Sequence, residues 1–555
     1  MNEYRLFYVN ANGSERFQVV TNSTSRVSAI ELSLFGSRVS AICEQMGAVL
    51  QRSAVSPNIR DRLDYSCALF DAEGGLVAQA THIPVHLGSM AYAMTELAGS
   101  RDWQPGDVLI LNDPFAGGTH LPDVTVIAAL FIDQRLCGFA ASRAHYADIG
   151  SAAPGSMPIS NDLQQEGVLI RPAWLIRDGE FQLAVLAPLL QQVADQQRVE
   201  ADLHAQLSAC RKGAAQLAAL IGELGAAGFQ QRLAALNDYG ERLAQGMLQR
   251  LAGEQTEIDF DSVSDCMDDD GFAQQDIAIQ LRLRWQREQQ QLRLLFDFTG
   301  TADQVPGNIN CPLSVTAAAV YYVVRSLLPD YTPNCAGVLR NLRIDAPPGC
   351  LLNATGPAAV AAGNVETSMR IVDVICKALH QRLPTRIPAA SQGSMNNLAM
   401  GGGMIDHSAT QAVPAGHWSY YETLAGGCGA AQGKAGASAL HSHMTNTLNT
   451  PVEVLESEYP LRLRCYQLRR GSGGAGHWPG GDGIVREYEF LQPATVSVIS
   501  ERRRHAPWGL AGGGDAQPGE NLLNGKSLPA KCELQLQPGD RLSIATPGGG
   551  GYGAA

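Results

Sequence analysis

With 555 residues the chain is long enough for roughly three or four domain-sized units around sizeable cores. Its 41 basic against 54 acidic side chains leave a net charge of −13, which repels phosphate backbones and anionic lipid headgroups and argues against nucleic acid and membrane partners. Apolar residues make up 45%, no apolar run is long enough to cross a bilayer, and the first residues lack the basic start and apolar core of a secretory signal, so a cytoplasmic globular protein is expected.

Residues 1–23 read as a short strand pair, YRLFYV and RFQVV, around an Asn12–Gly13 turn. From Ser25, apolar residues at helical spacing (Val27, Ile30, Leu34, Val39, Ile42, Met46, Val49) predict one long amphipathic helix to about Arg52. Residues 56–90 alternate strand-like pieces with turns, and DAEGG at 71–75 is a hairpin signal. Pro84 between His82 and His86 argues against a helix there, which puts both histidines on loops. Two apolar runs, 108–111 and 124–131, then flank the polar, glycine-bearing stretch NDPFAGGTHLPD, and a third, 136–144, ends at His145. Short apolar runs bounded by turn residues predict buried strands.

After a Pro/Gly/Ser-rich loop at 154–172, residues 189–251 have the composition of two long helices broken near 225–228. Strands such as LRLRW and LRLLFDFTG open a further unit, with helices predicted at 314–328 and 368–380. From about Pro384 the chain is glycine-punctuated short strands to TPGGGGYG. The expected fold is α+β and multi-domain, divided as an extension 1–26, an α+β unit 27–188, a helical hairpin 189–255, a second α+β unit 256–383 and a glycine-rich β unit 384–555. The 12 cysteines include no CxxC pair, and Cys43, Cys67 and Cys376 sit in apolar stretches, as small buried hydrophobes do.

Two nucleotide-like patterns fail on context. GSGGAG at 471–476 satisfies GxGxxG, but the HWPGGDG that follows cannot open a helix to hold a pyrophosphate. GENLLNGKS at 519–527 spaces its glycines by five residues, one too many for a P-loop. What remains is His120 and Asp123, three apart at the end of one loop, and His145 at the end of the next strand. Two imidazoles and a carboxylate suit one divalent ion, manganese, zinc or iron, and leave positions open for water and substrate. His86, Asp113 and Glu166 are candidates for acid–base work. Asn112, Ser142, His441 and His443 are candidates for substrate binding, the two late histidines on one face of a strand. Each has a bland counterpart: HxxD occurs by chance, Glu166 is by default a solvated loop carboxylate, and histidines in polar loops often serve structure alone.

The succession LDYSCALFD, IPVHLGSM, LNDPFAGGTHLPDVTVIAALF, AHYADIG, PGSMPISNDLQQEGV, DFTGTADQVPGNIN, YYETLAGGCGA, HSHMTNTLNTPVEVLE and TPGGGGYG resembles the hydantoinase B/oxoprolinase family over roughly residues 27 to 553. The resemblance implies one subunit of a multi-component enzyme in which a companion, hydantoinase A-like subunit binds ATP, with the two arranged as a hetero-oligomer such as a dimer of heterodimers. It implies a metal at His120, Asp123 and His145, since similar subunits hold manganese through two histidines and an aspartate. Tyr146, and Ala435–Gly436 before HSHMTNT, depart from the family pattern without touching a proposed ligand. The activity expected is opening of a small cyclic amide (hydantoin, 5-oxoproline or lactam) after phosphorylation by the partner. The alternatives are a subunit of an ATP-dependent ketone carboxylase and a non-catalytic scaffold.

Overall fold

The computed structural model describes residues 8–9, 15–16, 27–80, 82–151, 153–253, 257–288, 291–402 and 417–555. Tyr8–Val9 pairs antiparallel with Glu15–Arg16, and the Asn12–Gly13 turn lies outside the described residues. The first long helix is Ala29–Ser53. A capping box fixes its start: Ser28 Oγ accepts from Glu31 N, and the Glu31 carboxylate accepts from Ser28 N.

The strands expected between 65 and 145 form part of one seven-stranded antiparallel sheet. Its order is Leu76–Gln79, Tyr65–Asp71, Arg135–His145, Asp123–Ile132, Val108–Leu111, Ala173–Arg177, Glu180–Phe181. The pleat sends alternate residues to opposite faces. Cys67, Leu69, Val124, Val126, Ala140 and Ala144 pack with the Ala29–Ser53 and Gln196–Leu224 helices. Ala68, Phe70, Leu109, Leu111, Ile127, Phe139 and Ala141 pack on the other side with Met90, Met94 and Leu97.

Those last three residues belong to the helix Pro84–Gly99, which corrects the expectation of loops. Pro84 occupies its first turn, where a missing N–H costs no hydrogen bond and the fixed φ suits the helix. The proline therefore marks the start of a helix, and His86 lies within its first turn.

The predicted helical hairpin is Gln196–Leu224 and Ala226–Ala252, broken at Gly225, whose φ is +70°. A middle sheet (Glu257–Asp259, Val263–Asp269, Gln275–Glu288, Gln291–Asp297, Leu342–Asp345) follows. The helices Leu313–Leu327 and Ser368–His380 fall where the prolines and apolar spacing put them. The first packs on Pro84–Gly99 and the second on the middle sheet. N-terminal sheet, hairpin and middle unit share one apolar core.

The C-terminal region is a two-sheet sandwich. Leu398, Val496 and Val498 of one sheet meet Tyr488, Leu542 and Ile544 of the other in a second core. The crowded glycines belong to a layer in which backbone lies directly on backbone: a Cβ on Gly480 would stand 1.8 Å from the Gly549 carbonyl oxygen. GSGGAG is part of that layer, and its Gly474 N donates to Gly549 O. The segment 441–450 contains no strand, and His443 has a left-handed φ of +57°, so the late histidines do not share a strand face.

Candidate metal centre

Asp123 and His145 face each other across the antiparallel pair formed by Asp123–Ile132 and Arg135–His145, in direct register. Cross-strand partners share a face, and this one looks toward the Pro84–Gly99 helix. His120 comes back onto the same point through the turn in which Asp123 N donates to His120 O. The atoms His120 Nε2 and His145 Nδ1 lie 3.1 and 3.2 Å from Asp123 Oδ1. All three side chains are buried, and their ligand atoms lie within 4.8 Å of one another.

The hydrogen-bond accounting favours a cation. Asp123 Oδ2 takes donors from Thr119 Oγ1 (2.5 Å) and from His86 Nε2 (3.1 Å), whose Nδ1 faces Ser66 Oγ at 3.1 Å. His120 Nδ1 donates to Ala361 O at 3.2 Å, so in the neutral ring Nε2 carries a lone pair. That lone pair, the His145 ring and Asp123 Oδ1 converge, the Asn364 amide stands 3.2 Å from His120 Nε2, and His145 Nε2 is buried without a protein partner. Two metal bonds of about 2.1 Å at right angles separate their donor atoms by about 3.0 Å, close to the spacing found here. The residues fit one divalent ion.

The electrostatics keep Asp123 ionised and His145 neutral but favour a proton on His120, which a bound ion would have to displace. Burial alone raises the Asp123 carboxyl, but the His120 and His86 imidazoles beside it hold it well below the usual carboxylate range. Burial opposes protonation of His120, and Asp123 outweighs it, lifting its pKa above the ordinary imidazole value. Burial lowers His145 against the pull of Asp123 and keeps that ring neutral, as a ligand must be.

Of the other sequence candidates, His86 sits at the centre as a partner of Asp123 Oδ2. Glu166 is fully buried rather than solvated. Its Oε1 accepts from Val360 N, Ala361 N and Ser160 Oγ at 2.8–2.9 Å, and so holds the backbone on the N-terminal side of Ala361, whose carbonyl accepts from His120. Burial pushes its pKa up to about 7 against those bonds. Asn112 is consumed by Leu121 O, Val168 O and Ile170 N, pinning the 112–122 loop to its neighbour. Asp113 caps a short turn through Phe115 N. Ser142 faces the opposite side of the sheet, where its Oγ accepts from Cys210 Sγ of the Gln196–Leu224 helix. Tyr146 OH donates to Gln206 of that helix. Neither His441 nor His443 joins the three candidate ligands. Both His441 nitrogens are buried without a partner, and His443 Nε2 lies 3.7 Å from Asp373. Burial lowers both rings to about 4.

Two features carried no signal in the sequence. Tyr421, from the C-terminal sandwich, stacks on His145 with ring centroids 4.6 Å apart, and the Arg62 guanidinium lies 4.8 Å from the Tyr421 ring centroid. Asn364, in the turn before the Ser368–His380 helix, places Nδ2 3.2 Å from His120 Nε2. A cavity of about 320 Å³ is lined by Tyr146, Asp148 and residues of the Gln196–Leu224 helix such as Val199 and Asp202, and by none of the three candidate ligands. Among the described residues one other group, Cys266, Asp276 and His505, has metal-like spacing. It is partly exposed, and its carboxylate is already engaged by Arg504 and His505.

The hydantoinase B/oxoprolinase family matches residues 28–555, and the chain belongs to it. It is 38% identical to the 5-oxoprolinase of Dictyostelium discoideum, with 96% of this chain covering 41% of that protein. It is 31% identical to the B component of a putative D-/L-hydantoinase from a Pseudomonas species, covering 92% of this chain and 88% of that one. Thus the chain spans about two fifths of the oxoprolinases it matches and most of the hydantoinase component. Its fold superimposes on the ATP-dependent caprolactamase of Pseudomonas jessenii with a TM-score of 0.85 at 26% identity, over 96% of this chain and 92% of that one. The nucleotide-free acetone carboxylase shares the fold at a TM-score of 0.80 and 16% identity, over 94% and 75%. No helix among the described residues is long and apolar enough to cross a membrane.

Proposed function

We propose that this chain is the metal-dependent hydrolytic subunit of a two-component, ATP-dependent amidohydrolase that opens a small cyclic amide: a hydantoin, 5-oxoproline or a lactam. The observation that carries the reading is the meeting of His120 Nε2, Asp123 Oδ1 and His145 in one buried point. The 5-oxoprolinase, hydantoinase and caprolactamase relatives support the substrate class.

An unactivated amide is a poor electrophile. A hydantoinase A-like partner would transfer the γ-phosphoryl group of ATP to the amide oxygen, leaving ADP and an imidate phosphate. Water then adds to the ring carbon and the C–N bond breaks. The nitrogen takes up protons to leave as an amine, and a second water releases the acyl phosphate as carboxylate and inorganic phosphate. His120, Asp123 and His145 would hold a divalent ion, which when bound would supply Lewis acidity to acidify water and polarise a carbonyl oxygen.

The chain's own residues build that environment. His86 and Thr119 saturate Asp123 Oδ2 and so aim Oδ1. Ala361 fixes the His120 tautomer, and Glu166 fixes Ala361. Asp113, tied to its turn, and Glu166, tied to the 360–361 backbone, are assigned to positioning rather than to proton transfer. The likeness to acetone carboxylase is one of fold and does not favour the ketone reading.

The test is co-expression with an ATP-binding partner and measurement of phosphate release over hydantoins, 5-oxoproline, lactams and ketones, with and without bicarbonate. Stimulation by a cyclic amide, independent of bicarbonate, is expected. Stimulation by ketones alone, and only with bicarbonate, would overturn the proposal.

A further inference from the structure

We infer that Asn364 is a fourth protein donor of this centre, binding the ion through its side-chain amide oxygen. The inference rests on the metal reading above and adds a residue to it.

The backbone around Asn364 is built to hold it in place. Gly363–Thr367 forms a π-helical turn ahead of the Ser368–His380 helix, an irregularity that recurs at functional sites. The turn lies against the 308–311 segment so closely that a Cβ on Gly363 would stand 1.8 Å from Asn310 O. Gly363 N donates to Asn308 O and Val360 O at 3.0 Å, and Ser368 Oγ donates to Asn364 O at 2.7 Å. The missing Cβ of Gly363 permits that approach, and the Asn364 side chain beside it reaches the centre.

The side chain is 3% exposed. Its amide nitrogen lies 3.2 Å from His120 Nε2 and 3.4 Å from Asp123 Oδ2, while its Oδ1 is buried with no donor. A buried carbonyl oxygen without a partner costs about 1–3 kcal/mol. The two ends of a carboxamide are nearly alike in shape, so a half-turn about Cβ–Cγ exchanges them. The oxygen then takes the place 3.2 Å from His120 Nε2, close to the separation of about 3.0 Å between neighbouring ligands of one ion. In that orientation the amide adds a neutral oxygen to two imidazoles and one carboxylate. That set suits a six-coordinate first-row divalent cation, with positions remaining for water and substrate.

The experiment uses the 555-residue chain and Mn²⁺ alone, with binding read by competition against a fluorescent chelator and by the paramagnetic resonance of free Mn²⁺. Asn364→Ala should weaken binding at least tenfold. Asn364→Asp, which keeps an oxygen and loses both N–H donors, should bind as tightly as the wild type or more tightly. Far-ultraviolet dichroism and melting of the metal-free proteins confirm that each is folded, and the Asp variant alone decides the matter if the Ala variant does not fold. Unchanged binding in the Ala variant would overturn the inference. So would weakened binding in the Asp variant, because Asn364 would then act as an N–H donor to His120 and Asp123. If His120→Ala binds Mn²⁺ as well as the wild type does, the metal reading itself fails, a result distinct from either.

Discussion

Glu166→Ala probes how the centre is held without touching a ligand. Glu166 Oε1 satisfies two buried backbone N–H groups, those of Val360 and Ala361, and the Ser160 hydroxyl. Each buried donor left without an acceptor costs about 1–3 kcal/mol, so the truncated protein relieves the penalty by shifting the 360–361 peptides or admitting water. Either response moves Ala361 O, the acceptor that sets the tautomer and tilt of His120. Loss of such a supporting bond lowers metal affinity about 10–100-fold. Glu166→Gln keeps an acceptor oxygen in the same place and should stay within a few fold of the wild type. Mn²⁺ titration of the three proteins against a chelating dye, with thermal melts of the metal-free forms, makes the comparison. A folded Ala variant that binds Mn²⁺ like the wild type would refute the positioning argument. A Gln variant that keeps its metal but loses turnover altogether would instead make Glu166 the catalytic base.

Other outcomes follow from the same geometry. Ser142→Ala, on the far face of the sheet, should leave Mn²⁺ affinity within about twofold while lowering the denaturation midpoint by the equivalent of about 1 kcal/mol for its lost hydrogen bonds. Gly363→Ala drives a methyl group into Asn310 O and should cost about 1–3 kcal/mol or more, together with most of the metal affinity; normal stability and binding would disprove the tight-turn account. Glu366, buried and near Glu501, has its carboxyl raised to about 8 from 4.5. The folded state therefore holds a proton that the unfolded state has released. Wild-type stability should fall relative to Glu366→Gln as pH rises above 4.5 and level off beyond about pH 8, as read from melting temperatures across that range.

The clustering of His120, Asp123 and His145 was legible because it is nearly local. His120 and Asp123 end one loop, and a tight hairpin returns the chain so that Asp123 and His145 pair. The same period of two would have removed Ser142, three residues before His145 and so on the other face. His86 was misplaced because Pro84 reads equally as a helix breaker and as a first-turn residue, and only the packing of 85–98 against the sheet distinguishes the two. Glu166, Asn364 and Tyr421 owe their roles to partners some 200 to 280 positions away, which no periodicity encodes. His441 and His443 required a regular strand, and the backbone is irregular there.

The most direct measurement of the central claim is the metal content of the purified chain, by elemental mass spectrometry after dialysis against manganese, zinc and iron. One divalent ion per chain is predicted for the wild type and for His441→Ala, with loss in His120→Ala, Asp123→Asn and His145→Ala. A wild-type chain that retains no ion under any of these conditions, or ligand variants that retain the same ion, would contradict it.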